Sequence, residues 1–268
     1  LRMLRSAPGR PHSRPGEASL RTPTHLATSK LHSLDGAIAL SQQFVEADFR
    51  SSSAVAIRFA DGKGESELLG ESEIRLTSAG PTSTVVLVGS AASIGKDDDL
   101  VTAAREQVDL VARAGVTAVA AETQRWWHDF WRRGSIGLGS ADGTAQAVQQ
   151  GYHFFLYLMA CSSAGSLPPK FNGMLWNSGG DQRAWGAQHW FTNTSCYYEA
   201  LPATGRFELM APFFAMYEGM AESCTRAASD VWGSQGMFIP ETVHFDGVET
   251  LPAGIAAEMR ALNLGRKP

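Results

Sequence analysis

Short apolar or alternating runs, separated by turn residues, characterise the first part of the chain. Between residues 34 and 88 the breakers include Gly62, Gly64, Gly80 and Pro81. Runs of this length that are bounded by glycine, proline and aspartate are typical of β-strands joined by turns. The pattern predicts antiparallel strands near residues 37–40, 54–59, 73–76 and 84–88. Because four strands are few for a complete sandwich, we predict a partial β-sandwich.

A helical spacing replaces this pattern after the aspartates at 97–99. Aspartates suit the start of a helix, because they lie close to the positive end of its dipole. An interruption near Gly115 predicts either one helix or a pair of helices, leading into the tryptophan-rich segment 122–133. Apolar residues support the first helix at Val101, Ala104, Val108, Val111 and Ala112.

Two further segments are apolar around most of a helical circumference, at residues 144–162 and 207–224. A helix of this kind is buried on several sides, as in the inner ring of a helical barrel. Pro212 is predicted to begin or to kink the second of them, since proline removes a backbone donor inside a helix. The second part of the chain is therefore predicted to be helical.

Composition and charge narrow the class of ligand. The formal charge of −4 and the pI near 6.0 give no positive field, so neither nucleic acid nor an anionic membrane is the expected partner. No apolar run reaches the ~20 residues of a membrane span. The three cysteines and seven histidines show no metal-ligand spacing. We therefore predict a neutral polar ligand, no metal and no cofactor.

The first 33 residues are rich in arginine and proline and are predicted to be flexible. Their low acid content also suits an organelle transit peptide, and the start at Leu1 suits a truncated N-terminus equally well. A secretory signal peptide is not recognisable in the chain as written. The oligomeric state is left open.

The segment 167–199 combines aromatic rings with amides and acids, which is the chemistry that sugars require. A sugar offers apolar C–H faces to a flat ring and a rim of hydroxyl groups to polar side chains. The alternative is that the rings only fill the core. The candidate substrate-binding residues are Trp176, Asn177, Asp181, Trp185 and Trp190.

Four motifs in this order resemble the start of the catalytic domain in glycoside hydrolase family 95 α-L-fucosidases and their relatives. They are Trp-His-Asp-Phe-Trp-Arg-Arg at 127–133, Pro-Pro-Lys-Phe-Asn-Gly-Met-Leu-Trp-Asn at 168–177, Trp185, and His-Trp-Phe-Thr-Asn at 189–193. The resemblance implies a β-sandwich before an (α/α)6 barrel, inverting hydrolysis, and a secreted or periplasmic protein. It also implies that His189 and Asn193 help to position and activate the hydrolytic water.

One position departs from the fucosidase pattern: Phe191 stands where those enzymes have a first asparagine. A relative that acts on another glycoside would explain this, as would a non-catalytic sugar-binding protein. The resemblance further implies that the general acid and its partner aspartate come from later helical hairpins, so we expect the isolated chain to be inactive. Candidate carboxylates within the chain are Asp181, Glu199, Glu241 and Asp246, of which the last two flank a segment predicted to lie on a functional loop.

The predicted fold class is thus α+β, a partial β-sandwich followed by the first helices of an (α/α)6 barrel. The predicted organisation has four parts. They are a flexible basic segment (1–33), the end of the β-sandwich (34–95), linker helices (96–125) and a partial barrel (126–268). A purely helical solenoid is a weaker alternative, because it requires a regular repeat that the sequence does not show.

Overall fold

The structure, a computed structural model, describes residues 17–21, 27–46, 49–62, 64–78, 85–95, 98–170 and 189–266. The chain divides between Asp129 and Phe130 into two compact units. Strands dominate the first unit and helices the second. This arrangement confirms the α+β class and the predicted order of β-sandwich and helices.

The described strands of the first unit form two antiparallel sheets. The first sheet has the order β1-β6-β5, and the second has the order β2-β3-β4-β7. The strands are β1 (Glu17–Arg21), β2 (Thr28–Leu34), β3 (Ala37–Glu46), β4 (Phe49–Phe59), β5 (Gly64–Leu68), β6 (Glu73–Ser78) and β7 (Val86–Ile94).

The second sheet is covered on both faces, which explains the continuous apolar runs in its strands. On one face Ile57 and Phe59 of β4 pack against Ile74 and Leu76 of the first sheet. This is the sandwich contact that the strand pattern predicted. On the other face, alternate residues of the same strands contact the helix α1 (Leu100–Ala114).

Small residues make room for α1 on the second sheet. The row Ala39, Ala56 and Gly89 lies in register across β3, β4 and β7. A Cβ added at Gly89 would overlap the carbonyl oxygen of Ala104 and lie 3.1 Å from Cγ1 of Val108. The backbones of sheet and helix therefore approach as closely as the absence of a side chain allows.

Polar contacts fix the same helix to the sheet. The Asp109 carboxylate accepts hydrogen bonds from Arg58 of β4 and, at 2.8 Å, from Arg105. Burial opposes ionisation of Asp109, but these two hydrogen bonds outweigh it and lower its pKa. The Gln107 amide accepts from Ser90 N at 3.1 Å and donates to Ser90 O at 2.9 Å, so it pairs with the backbone of the edge strand β7.

Gly115, with φ 86°, separates α1 from α2 (Val116–Arg132). The described elements that follow are α3 (Thr144–Ser162), β8 (His189–Trp190), α4 (Phe191–Glu199), α5 (Ala211–Gly219), α6 (Ala221–Ala227), β9 (Thr242–Val243) and α7 (Ala253–Asn263). A 3₁₀ turn at Phe207–Met210 precedes α5, and a π-helical turn at Ala228–Trp232 follows α6.

Several helical predictions are confirmed in detail. The break at Gly115 and the bounds of α3 agree with the sequence pattern. Pro212 lies in the first turn of α5, so it begins this helix and does not kink it. The segment 207–224 is correspondingly divided between the 3₁₀ turn, α5 and part of α6.

The expectation of a flexible segment at 1–33 needs correction where β1 and most of β2 lie. β2 pairs with β3 from Thr28 to Leu34. Its side chains are polar or half-exposed, so the alternating signal of a half-buried strand is weak there. The assignment of the four segments to separate functional parts stays a prediction.

No helix in the described part of the chain combines the length and the apolar character that crossing a membrane requires. Within the same residues, no group of three or more histidine, cysteine, aspartate or glutamate side chains is arranged to hold a metal ion.

Candidate functional site

A short antiparallel ribbon joins two segments that the sequence marks separately. His189 of β8 pairs with Val243 of β9, and Trp190 pairs with Thr242. The backbone N–H of Phe191 then donates to the carbonyl oxygen of Glu241 at 3.0 Å. The predicted water-positioning motif at 189–193 therefore lies beside the predicted functional loop that begins at Glu241.

Glu241 caps the helix α4, although 49 residues separate it from its partner. Its Oε1 accepts from the backbone N–H of Thr192 at 2.9 Å, and its Oε2 accepts from Thr192 Oγ1 at 2.9 Å. Trp190, at the N-cap position, makes no side-chain capping bond. The carboxylate satisfies a free donor of the first helical turn and lies near the positive end of the helix dipole.

His189 and Asn193 occupy different environments. The His189 side chain is only 4% exposed, and its Nδ1 has no hydrogen-bond partner among the described residues. Asn193, in the first turn of α4, is exposed. Burial lowers the pKa of His189 to about 4, and electrostatic interaction with Lys170 and with His244 adds to this effect. The imidazole is therefore neutral near pH 7 and can donate from one nitrogen and accept at the other.

The lowered pKa of His189 predicts a loss of stability in mild acid. The unfolded chain takes up a proton near pH 6.5, whereas the folded chain resists protonation until about pH 4. The free energy of unfolding should therefore fall as the pH decreases from 6.5 to 4, and His189 should cause no further loss below pH 4. We expect the loss due to His189 to be about 1–3 kcal/mol.

Urea unfolding at pH 7 and at pH 4.5 measures this loss. The variant His189→Asn should lose less stability between the two pH values than the wild type does. His128→Gln, at an exposed position in α2, serves as the control and should retain the wild-type difference. Equal pH differences in the wild type and His189→Asn would contradict the prediction.

An aromatic cluster underlies α4. Phe213 of α5 contacts Tyr198 at 4.4 Å and Tyr217 at 4.8 Å between ring centroids, and Phe191 contacts Tyr217 at 6.0 Å. The hydroxyl groups of Tyr198 and Tyr217 are buried and find no hydrogen-bond partner in the described part of the chain. Burial raises the pKa of both phenols, and the nearby Glu241 carboxylate raises that of Tyr217 further. Both hydroxyl groups therefore remain protonated donors.

The loop after β9 is held against α5 and α6. The Nδ1 atom of His244 lies 2.6 Å from Oδ1 of Asp246. Gly247 has a φ of 104°, and a Cβ at this position would overlap Oγ of Ser223. The same Ser223 oxygen accepts from the backbone N–H of Val248 at 3.2 Å. This packing fixes the position of the loop relative to the ribbon.

The structure brings together some of the sequence-predicted site residues. His189, Trp190 and Asn193 lie on the ribbon and the first turn of α4, whereas Glu199 is exposed at the other end of that helix. Their convergence with the remaining candidates in one concavity stays a prediction. Outside the described residues lie Trp176, Asn177, Asp181 and Trp185.

Sequence reasoning missed Thr192 as the partner of Glu241, and it missed the two buried phenol groups as polar groups of the site. A cap from a distant loop has no local spacing that could reveal it. The apolar character of the segment 207–224 predicted a buried helix there, but it gave no sign of the unsatisfied Tyr217 hydroxyl group.

No protein-family model matches the sequence, and a search of curated proteins also finds no match. Seven chains of solved structures match the fold. One of them is named "Putative kojibiose phosphorylase from human microbiome". It has a TM-score of 0.59 and 14% sequence identity, and the match covers 86% of this chain and 29% of that chain.

This chain spans less than a third of the length of that solved chain. At 14% identity the likeness shows the fold alone. The likeness agrees with the predicted fold class, a β-sandwich followed by helices.

Proposed function

We propose that this chain is part of a glycoside hydrolase that cleaves glycosidic bonds in oligosaccharides with inversion, in the manner of α-L-fucosidases. The observation that supports this function best is the β8–β9 ribbon, which sets the motif 189–193 beside the acidic loop 241–246. In this proposal His189 and Asn193 position the hydrolytic water. The sugar is bound by Trp176, Asn177, Asp181, Trp185 and Trp190.

The chemistry of the two water-positioning residues suits this role. A neutral imidazole and an exposed amide can each donate and accept hydrogen bonds, so together they can orient a water molecule without taking its proton permanently. The proton itself needs a carboxylate base, and the leaving group needs a carboxylic acid about 6.5–9.5 Å away.

The carboxylates beside the ribbon are already engaged. Both oxygens of Glu241 accept from Thr192, and one oxygen of Asp246 lies against His244. A general acid needs a proton on an oxygen that faces the glycosidic bond, whereas both Glu241 oxygens act as acceptors and Asp246 is paired with His244. We therefore propose that the acid and base come from later hairpins of the same enzyme, as the resemblance to the fucosidases implies.

This proposal predicts that the isolated chain does not hydrolyse glycosides. Removal of one member of a cooperating catalytic pair usually costs several orders of magnitude in rate, because such groups act as a unit. The purified chain should be assayed against a panel of aryl glycosides that includes the α-L-fucoside, and its solution state should be monitored in parallel. Exposed rings at Phe191, Phe207 and Phe214 are expected to promote association.

Turnover by a monodisperse monomer that is lost in Asp181→Ala or Glu241→Ala would contradict this prediction. It would mean that the groups needed for turnover lie within these 268 residues.

A non-catalytic sugar-binding protein of the same fold is the second candidate. Phe191 favours it, since this ring replaces an asparagine of the fucosidase motif and is 46% exposed at the start of α4. The protein from the complete reading frame separates the two candidates. Hydrolysis of an aryl glycoside supports the enzyme, whereas quenching of tryptophan fluorescence by sugars without any turnover supports the binder.

A further inference from the structure

Glu241 contributes three hydrogen bonds to two consecutive residues of the candidate site. Its main-chain oxygen accepts from Phe191 N, and its two carboxylate oxygens accept from the backbone and the side chain of Thr192. Phe191 and Thr192 are the residues that connect the β8 strand with Asn193. The geometry of the turn between His189 and Asn193 therefore depends on a side chain from another part of the chain.

Local capping alone does not account for this turn. Trp190 supplies no side-chain cap to α4, and Thr194 donates its hydroxyl to the main-chain oxygen of Trp190. In the described part of the chain, Glu241 therefore supplies the carboxylate that caps the first turn of α4. The ribbon pairs only two residues on each strand, so it is too short to fix the turn by itself.

We infer that Glu241 is a positioning residue that orients Asn193 relative to His189, and that it is not the catalytic acid or base. This inference rests on the proposed function of His189 and Asn193. With both oxygens engaged by Thr192, the Glu241 carboxylate serves as a fixed acceptor. The neighbouring Tyr217 ring, at 6.0 Å from Phe191 between centroids, packs behind the same turn.

Three variants dissect the contact. Glu241→Ala removes both side-chain acceptors, while Glu241→Gln retains one carbonyl oxygen and loses the charge. Thr192→Val removes the hydroxyl donor and keeps the backbone N–H. Glu249→Gln is the matched control, because Glu249 is an exposed glutamate on the connection that follows the same ribbon.

The first measurement is amide hydrogen exchange by NMR. Loss of a helix cap corresponds to an increase of roughly five- to tenfold in the exchange rate at the capped amide. We expect this increase at Thr192 in Glu241→Ala, a smaller one in Glu241→Gln, and the wild-type rate in Glu249→Gln. The side-chain amide signals of Asn193 should shift in Glu241→Ala and return towards the wild-type position in Glu241→Gln.

The second measurement is binding of kojibiose and of an aryl α-L-fucoside, followed by tryptophan fluorescence. Glu241→Ala should bind the recognised probe at least about tenfold more weakly, since an amide that is misoriented in a site loses its hydrogen bond. Glu241→Gln should recover part of this affinity. Circular dichroism establishes that each variant is folded.

The outcomes separate the inference from the function on which it rests. An unchanged exchange rate at Thr192 in Glu241→Ala would overturn the inference. Faster exchange at Thr192 with unchanged Asn193 signals would also overturn the inference, because Glu241 would then only stabilise the start of the helix. If the protein from the complete reading frame neither binds nor hydrolyses either probe, the proposed function fails, whereas the Thr192 and Asn193 signals still decide whether Glu241 orients the turn.

Discussion

Replacement of Gly89 by valine is expected to lower the free energy of unfolding of the first unit by about 3 kcal/mol. Gly89 lies in β7 beneath α1, and its missing Cβ leaves space for the main-chain oxygen of Ala104. A backbone oxygen cannot move aside as a flexible side chain can. The helix would therefore have to lift away from the sheet, which would loosen Leu100, Ala104 and Val108 in the core that they share with the strands.

A graded series tests this steric explanation. Gly89→Ala adds only the Cβ and should cost about 1–2 kcal/mol, less than the valine variant. Ser90→Ala is the control on the same strand, because the Ser90 side chain is exposed and its contacts with Gln107 use only backbone atoms. Urea unfolding measures all three. An alanine variant as stable as the wild type would show that the sheet and helix are less closely packed than this structure has them.

The same contact shows where sequence reasoning about the sheet stops. Short apolar runs bounded by turn residues predicted strands at 54–59 and 84–88, which overlap β4 and β7. The pattern gave no reason for small residues at 54, 56, 89 and 91. Only the packing of α1 explains them, since small residues are required where a helix backbone approaches a sheet.

Helix bounds were predictable from local signals, and long-range contacts were not. Gly115 and Pro212 act on their own backbone, so their effects on α1 and α5 can be predicted from neighbouring residues alone. The cap of α4 by Glu241 and the hydrogen bonds of Arg206 to the end of α2 span 49 and 76 residues. No spacing rule links partners so far apart along the chain.

The candidate site also combines features that local signals predicted with a long-range contact that they did not predict. The motif at 189–193 and the segment 241–246 were each marked by their residue types, as aromatic and amide groups or as an acidic loop. Their pairing in the β8–β9 ribbon depends on the packing of Val243 with Met216, Met220 and Cys224. This core contact has no counterpart in either motif, so the adjacency of the two segments required a structure.

Arg206 is expected to be the most sensitive charged residue of the second unit. Its side chain is 1% exposed, and its Nη2 donates to the main-chain oxygens of Phe130 at 2.6 Å and Gly134 at 3.2 Å. The guanidinium carbon also lies 3.9 Å from the centroid of the Phe130 ring. Burial lowers its pKa, followed by repulsion from Arg133. The cation thus satisfies carbonyl groups at the C-terminal end of α2, where the helix dipole is negative.

Arg206→Met should therefore lower the free energy of unfolding by about 3–5 kcal/mol, because it leaves the buried carbonyl oxygen of Phe130 and the half-buried one of Gly134 without this donor. Arg206→Lys should cost less, since an ammonium group can replace one hydrogen bond but cannot stack on the Phe130 ring.

The matched control is Arg133→Met. Glu208 lies 3.8 Å from Arg206 Nη1 and 3.0 Å from Arg133 Nη2. The Arg133 side chain is 57% exposed, however, and loss of an exposed ion pair costs at most about 1 kcal/mol. Urea unfolding, monitored by tryptophan fluorescence, measures the free energy of unfolding of each variant. Equal losses in Arg206→Met and Arg133→Met would mean that the Glu208 ion pair, and not the capping of α2, accounts for the role of this arginine.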